Sequence, residues 1–215
     1  MKRWVLLALL MGLTAGGCTE AKNRTTGVYL LLDTRAADAL ARPTAQSAVN
    51  CLLGILQPTD TLALAGIATG SFSEKDIVAS TTFDRRPSVA NQQKRAFQKK
   101  AAHWLAAVKG SAETDVTGGI LQAIEYLNAK QAGRKVILIV SDLTEERVRS
   151  READVSFQLS DFLVILLNPA AGRSEIHPAA NAFERIERWR AKVESGNGTW
   201  RVIEDIQDID AVFTH

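Results

Sequence analysis

Three short segments of the sequence carry carboxylate and hydroxyl side chains where a buried strand or a loop is expected to end. Asp33 closes one apolar run, and Asp142 follows a second one directly after Ser141. Thr114 and Asp115 lie in a loop ahead of a helical pattern. Ligands of open α/β sheets bind beyond the carboxyl ends of the strands, where the strand order reverses. We therefore expect Asp33, Thr114 and Asp142 to converge at one edge of a sheet.

The elements that would position these side chains alternate along the chain. Uninterrupted apolar runs are typical of strands buried on both faces, and they occupy residues 27–32, 135–140 and 161–167. Two more strands are predicted over residues 61–67 and 76–83, and we expect them to pair as a hairpin. Apolar residues at helical spacing predict helices over residues 38–57, 88–108, 117–128, 178–193 and 205–212, with a helix or turn over 145–152 and a last strand over 199–203.

This alternation defines a fold class. Strands that are apolar throughout and separated by helices imply an α/β fold, with a mostly parallel, doubly wound sheet flanked by helices on both faces. A chain with 46% hydrophobic residues can bury one sizeable core, which indicates a single domain. Within it, Ser88 is expected to cap its helix. The helix after Pro178 is expected to bury one side, formed by Phe183, Ile186, Trp189 and Val193.

The motif around the strand ends resembles that of the von Willebrand factor A-type domain. The resemblance covers residues 27 to 215 and is carried by Asp33-Thr34-Arg35-Ala36-Ala37, Thr114-Asp115-Val116-Thr117-Gly118-Gly119 and Ser141-Asp142-Leu143. That family gathers an Asp-x-Ser-x-Ser loop, a Thr-Asp loop and a second Asp around one magnesium ion. The resemblance implies Asp33, Thr114 and Asp142 as metal ligands. It implies a partner-binding edge formed by Asp33, Arg35, Thr114, Asp115 and Asp142.

The first loop departs from the family pattern, because Arg35 and Ala37 stand where the family has two serines. Magnesium takes a near-octahedral set of oxygen ligands, so the loss of two hydroxyls and the gain of a guanidinium weaken the site. Arg35 can pair with Asp33 or Asp142 instead. We therefore expect no cofactor, with a hydrogen-bonded cluster in place of the ion. Mg²⁺ remains the alternative.

The first residues have the pattern of an export signal. Lys2 and Arg3 precede an apolar run too short to span a bilayer, and small residues lead to Cys18. This resembles the lipobox of bacterial lipoproteins, although Ala15 replaces the usual leucine. It predicts a signal peptide over residues 1–17, a lipidated Cys18 with a polar tether over 18–26, and a domain over 27–215. Retention of such lipoproteins in the inner membrane needs an Asp directly after the lipidated cysteine. This chain has Thr19 there, which favours the outer membrane, with the domain facing the periplasm.

Charge and cysteine content exclude some classes of protein. The chain has 26 Lys and Arg against 24 Asp and Glu, and two of the basic residues leave with the signal peptide. The mature chain is therefore neutral, which gives no support for nucleic-acid binding. Cys51 would be the one cysteine left beside Cys18, and its apolar surroundings predict a buried small hydrophobic residue.

One stretch is strongly basic within this neutral chain. Asp84 alone opposes six basic residues, Arg85, Arg86, Lys94, Arg95, Lys99 and Lys100. A solvated helix face explains such a stretch, and so does contact with an acidic partner or an anionic lipid surface.

These observations predict a membrane-anchored, non-enzymatic binding or assembly module that engages a protein partner of unknown identity. Two alternatives from other classes stay open. One is an exported magnesium-dependent hydrolase or phosphotransfer enzyme that uses Asp33 and Asp142. The other is an inert structural spacer of the envelope.

Overall fold

A computed structural model describes residues 25–34, 41–67, 76–110, 114–143, 155–167 and 179–213 of the chain. The predicted signal peptide, Cys18, Arg35 and the helix or turn predicted over 145–152 lie outside the described residues.

The described chain contains six strands and five helices. In chain order they are β1 (Thr26–Asp33), α1 (Ala41–Ile55), β2 (Thr61–Ile67), β3 (Ile77–Thr82), α2 (Pro87–Ala107), α3 (Val116–Ala129), β4 (Arg134–Val140), β5 (Phe162–Leu167), α4 (Ala179–Ser195), β6 (Thr199–Ile203) and α5 (Asp208–Phe213).

The strands form one sheet in the order β3-β2-β1-β4-β5-β6. β3 is antiparallel to β2, as the predicted hairpin requires, and the other neighbouring strands run parallel. The predicted fold class is therefore confirmed. Because β1 lies between β2 and β4, the strand order reverses beside β1, and its carboxyl end is where this fold places a ligand.

Alternate side chains of β1 enter the two hydrophobic layers that cover the sheet. Leu30 and Leu32 point into a layer shared with α1, α2 and α5. Tyr29 and Leu31 point into the opposite layer, shared with α3 and α4. β1 is buried on both faces, which explains the uninterrupted apolar run over residues 27–32.

Cys51 lies on α1, half-buried, and packs against the first of these layers. Burial raises the pKa of its thiol. The side chain therefore packs as a small hydrophobic residue, half-buried where the sequence predicts a buried one.

Two helix predictions are wrong in detail. Ser88 does not cap α2, because the helix begins at Pro87, and the capping position is occupied by Arg86 without a side-chain hydrogen bond. Proline suits the first helical position, where its fixed φ is already helical and its missing N–H is not needed.

Phe183 is the second correction, since 65% of its surface is exposed instead of buried with the rest of its predicted stripe. Trp189 and Val193 are buried as expected, and Ile186 is half-buried. At 3.6 residues per turn, the six residues from Phe183 to Trp189 leave the two side chains about 120° apart around the helix. Phe183 therefore faces away from the sheet.

Candidate functional site

Asp33 ends β1 and is completely buried at the carboxyl edge of the sheet. The Thr114 hydroxyl donates to Oδ1 of Asp33 at 2.8 Å, and the Ser141 hydroxyl donates to Oδ2 at 2.7 Å. Both hydroxyl-bearing residues are buried as well. We call Asp33, Thr114 and Ser141 the strand-end cluster. It links the end of β1, the loop before α3 and the end of β4.

The pairing of the strands explains why Ser141 meets Asp33. Leu32 of β1 is in register with Val140 of β4, so the next residue of each strand lies side by side beyond the pairing. On the other side of β1, the Thr34 hydroxyl donates to the carbonyl of Ile67 at the end of β2, at 2.7 Å. The chain leaving β1 is therefore fixed to both neighbouring strands.

The turn after β4 holds the Ser141 hydroxyl in one orientation. The backbone N–H of Leu143 donates to Ser141 Oγ at 2.8 Å, so this oxygen accepts one hydrogen bond while donating another to Asp33. Leu143 has a φ of 56°, and its side chain is buried. A leucine in this left-handed region is strained by about 1–2 kcal/mol, and burial of its side chain offsets that strain.

Asp115 acts on α3 and not on the strand-end cluster. Its carboxylate accepts a hydrogen bond from the Gly118 backbone N–H at 2.7 Å, which caps the first turn of the helix. A Cβ on Gly118 would overlap this carboxylate, so the glycine is required by the cap. The paired glycines of the motif thus have a local role. Gly119 lets α3 approach Leu31 of β1 closely.

The structure therefore brings together two of the three predicted metal ligands, Asp33 and Thr114, by a direct hydrogen bond. Asp142 follows Ser141 at the same edge and is half-buried. Ser141 is a site residue that the motif does not single out, because the acid beside it matches the family pattern. The register of β4 against β1 identifies Ser141 as the neighbour of Asp33, and that register is known only once the strand pairing is known.

The donor set does not fit magnesium well. Both carboxylate oxygens of Asp33 already accept hydrogen bonds, and the sequence offers Arg35 and Ala37 in place of two hydroxyl ligands. Magnesium needs about six oxygen ligands in a strict geometry. Within the described residues, no group of three or more His, Cys, Asp or Glu side chains is placed to hold a metal.

No protein-family model matches the chain, and no curated protein matches it. Solved structures do match, and the chain is similar to a von Willebrand factor type A protein from Catenulispora acidiphila. The identity is 12%, the TM-score is 0.58, and the match covers 89% of this chain and 41% of that one.

Two further structures give the same result. The pilus adhesin SpaC from Lactobacillus rhamnosus GG, in an open conformation, matches with 11% identity and a TM-score of 0.52, over 89% of this chain and 29% of the adhesin. The N-terminal domain of TFIIH p34 matches with 14% identity and a TM-score of 0.50, over 89% and 97% of the two chains. The chain therefore has a von Willebrand factor A-type fold, and it spans less than half of the first two proteins.

Proposed function

We propose that this chain is a non-enzymatic binding or assembly module that takes a protein partner at the carboxyl edge of its sheet. The observation that carries the proposal is the strand-end cluster, in which the buried Asp33 is bonded by hydroxyls from two other segments. These bonds hold the ends of β1 and β4 and the start of α3 together at the point where this class of sheet binds ligands.

The state of Asp33 supports binding over catalysis. A nucleophilic or general-base carboxylate has to reach its substrate, directly or through one water. Asp33 has no exposed surface, and both of its oxygens are occupied by hydroxyl donors. The similar SpaC structure is a pilus adhesin, which also supports a role in adhesion or assembly.

Recognition in this proposal does not depend on a metal. In the family, the ion receives a carboxylate from the partner. Here Arg35 stands in the corresponding loop and brings a positive charge of its own. A guanidinium can bind a carboxylate through two parallel hydrogen bonds. We propose that Arg35 receives an acidic side chain of the partner where the family uses magnesium.

The proposed location is the bacterial cell envelope, with lipid on Cys18 and the domain on the periplasmic side of the outer membrane. The lipobox-like segment supports this location. Within the described residues, no helix is both long enough and apolar enough to cross a membrane. A lipid anchor on Cys18 would leave the short segment before β1 as the tether.

Site-specific photo-crosslinking tests the partner-binding edge. A photo-crosslinking phenylalanine replaces Asp142 at the carboxyl edge or, as a matched control, Ala129 at the end of α3 on the opposite edge. We expect position 142 to yield a discrete crosslinked band in intact cells and position 129 to yield none. Crosslinking at position 129 alone would overturn the proposed edge. Absence of bands at both positions would favour the structural spacer.

Lipid anchoring has a separate test. Cys18→Ser removes the acceptor thiol, so we expect an unprocessed precursor or a protein released from the membrane fraction. Fractionation and intact mass measure the two outcomes. A substituted protein that stays in the outer-membrane fraction with the mass of the natural mature form would contradict the lipoprotein proposal.

A further inference from the structure

The outer side of α2 carries positive charge that no carboxylate of that helix balances. Arg95, Lys99 and Lys100 are exposed, and the sequence from Pro87 to Ala107 contains no Asp or Glu. We call these three residues the basic face. The inner side of the same helix is buried against the core through Ala90, Phe97, Ala101 and Leu105.

Lys94 does not belong to the basic face, although the sequence groups it with these residues. Its ammonium donates a hydrogen bond to the carbonyl of Leu56, just beyond the end of α1. The same ammonium lies 5.5 Å from the centre of the Phe83 ring. Lys94 is half-buried and joins two elements of the fold, so its charge is used inside the domain.

The elements packed beside α2 do not neutralise the basic face. Neither α1 nor β3 contains an Asp or Glu, and the exposed contact between α1 and α2 is a neutral hydrogen bond from Gln98 to Asn50, at 2.9 Å. Asp84 precedes the helix, but its hydrogen bonds with Arg86 hold the pKa of that carboxyl low, at about 2. Arg86 therefore takes the negative charge of Asp84.

Negatively charged residues lie beside α1 on the side that faces α5 and not α2. Four exposed acidic residues lie in or just before α5, and they are Glu204, Asp205, Asp208 and Asp210. Helix α1 packs against both α2 and α5, which lie in the same layer over the sheet. The layer is therefore positive at one end and negative at the other, and an anionic surface would attract only the α2 end.

The described chain begins next to the start of α2. Asp60 accepts a hydrogen bond from the Thr26 backbone N–H at 2.7 Å, and its carbonyl accepts one from the Phe83 N–H at 2.8 Å. The segment from Cys18 to Thr26 can extend at most about 30 Å, and the 21 residues of α2 span roughly the same distance. A lipid on Cys18 could thus insert into a membrane that the basic face also touches.

We propose that the basic face of α2 docks the domain onto an anionic lipid surface. Each Lys or Arg close to such a surface raises binding about fivefold, so three raise it about a hundredfold. A free domain would bind weakly, and excess lipid makes that binding measurable. The same attraction is sufficient to orient a domain that a lipid already holds beside the membrane.

The composition of the surface favours lipid over protein as the occupant. Protein interfaces are centred on large side chains, aromatic ones above all, that fill pockets of the partner. The basic face is bordered by small exposed residues, Ala96 and Ala102. The large exposed apolar side chains of the described residues, Phe183 and Val202, lie on α4 and β6 instead.

Vesicle co-sedimentation tests the proposal with the chain from Thr19 to His215, which keeps all described strands and helices. One vesicle set is phosphatidylcholine, and the other contains phosphatidylglycerol as well. We expect binding to the anionic vesicles alone, with loss in high salt. Arg95→Gln, Lys99→Gln and Lys100→Gln together should lower partitioning about a hundredfold.

The matched control removes the same charge from three exposed residues elsewhere, by Lys130→Gln, Arg188→Gln and Arg201→Gln. Its partitioning should stay close to that of the unmodified chain, and unchanged melting temperatures show that both variants are folded. Equal losses in the two triple variants, or equal binding to neutral vesicles, would overturn the proposal. So would self-association in sedimentation velocity that the α2 variant abolishes, because the face would then bind a second copy. These outcomes do not depend on the carboxyl edge.

Discussion

Two aspartates are buried at opposite ends of β1, and they differ in what donates to them. Asp33 is the last residue of the strand, and Asp60 lies beside its first residue. Asp33 accepts hydrogen bonds from two side-chain hydroxyls, whereas Asp60 accepts them from the backbone N–H groups of Thr26 and Gln57, both at 2.7 Å.

The kind of donor separates a structural carboxylate from a candidate site. A backbone N–H is fixed by the chain, so the bonds to Asp60 serve to hold β1 against the turn between α1 and β2. A hydroxyl rotates and can exchange its acceptor for another group. Burial of a carboxylate therefore does not by itself mark a site. A site is indicated when the donors can be replaced and the carboxylate lies at a strand end where the strand order reverses.

The largest effect is expected at Asp60. Asp60→Ala leaves two backbone N–H groups without their charged acceptor, so we expect a loss of about 3 kcal/mol in the free energy of unfolding. Urea denaturation measures it. Asp60→Asn keeps one acceptor oxygen and should lose less. Equal losses for the two variants would show that the carboxylate charge, and not the number of acceptors, fixes this turn.

A smaller loss is expected at Asp33. Asp33→Ala removes a buried carboxylate that accepts two hydrogen bonds. The Thr114 and Ser141 hydroxyls, which donate these bonds, can turn to other groups. We expect about 1–2 kcal/mol from the same denaturation experiment. A loss as large as that of Asp60→Ala would contradict the distinction between fixed and rotatable donors, and Asp33 would then be a structural residue as well.

The smallest effect is expected at Asp115, which caps α3 beside the strand-end cluster. Asp115→Ala should lower the free energy of unfolding by about 1 kcal/mol, whereas Asp115→Asn, a good capping residue, should keep most of it. Neither variant should change photo-crosslinking from position 142. A loss of crosslinking in the Asp115→Asn variant, with stability retained, would show that this carboxylate contacts the partner directly.

The sequence predicts the architecture because the spacing of its apolar residues identifies the strands and helices and their order along the chain. Uninterrupted apolar runs identify the central strands, and the alternation with helices implies the parallel sheet. The convergence of Asp33 and Thr114 follows from the same reasoning, since a strand end and the loop that leads into a helix can meet at the carboxyl edge of a parallel sheet. Their direct hydrogen bond confirms that convergence.

The errors concern contacts that depend on exact register or rotation. The sequence pattern predicts Phe183 on a buried stripe. Successive steps of three residues accumulate rotation around the helix, so Phe183 is exposed. Ser141 could not be distinguished from its neighbour Asp142 without knowing which residue of β4 pairs with Leu32. The sequence groups Lys94 with the surface charges, because its acceptor, the carbonyl of Leu56, is distant in sequence.

We propose that hydrogen bonds, and not magnesium, hold the strand-end cluster together. Thermal unfolding with and without millimolar magnesium tests it directly. We expect the melting temperature of the natural protein to be the same in both conditions. Arg35→Ser combined with Ala37→Ser should create a magnesium-dependent rise, because an ion bound only by the folded state stabilises it by mass action.

Asp33→Ala added to that restored variant should abolish the rise, which ties the response to the cluster. We expect no magnesium response in the natural protein and a response in the restored variant. A clear rise of melting temperature in the natural protein would contradict this proposal.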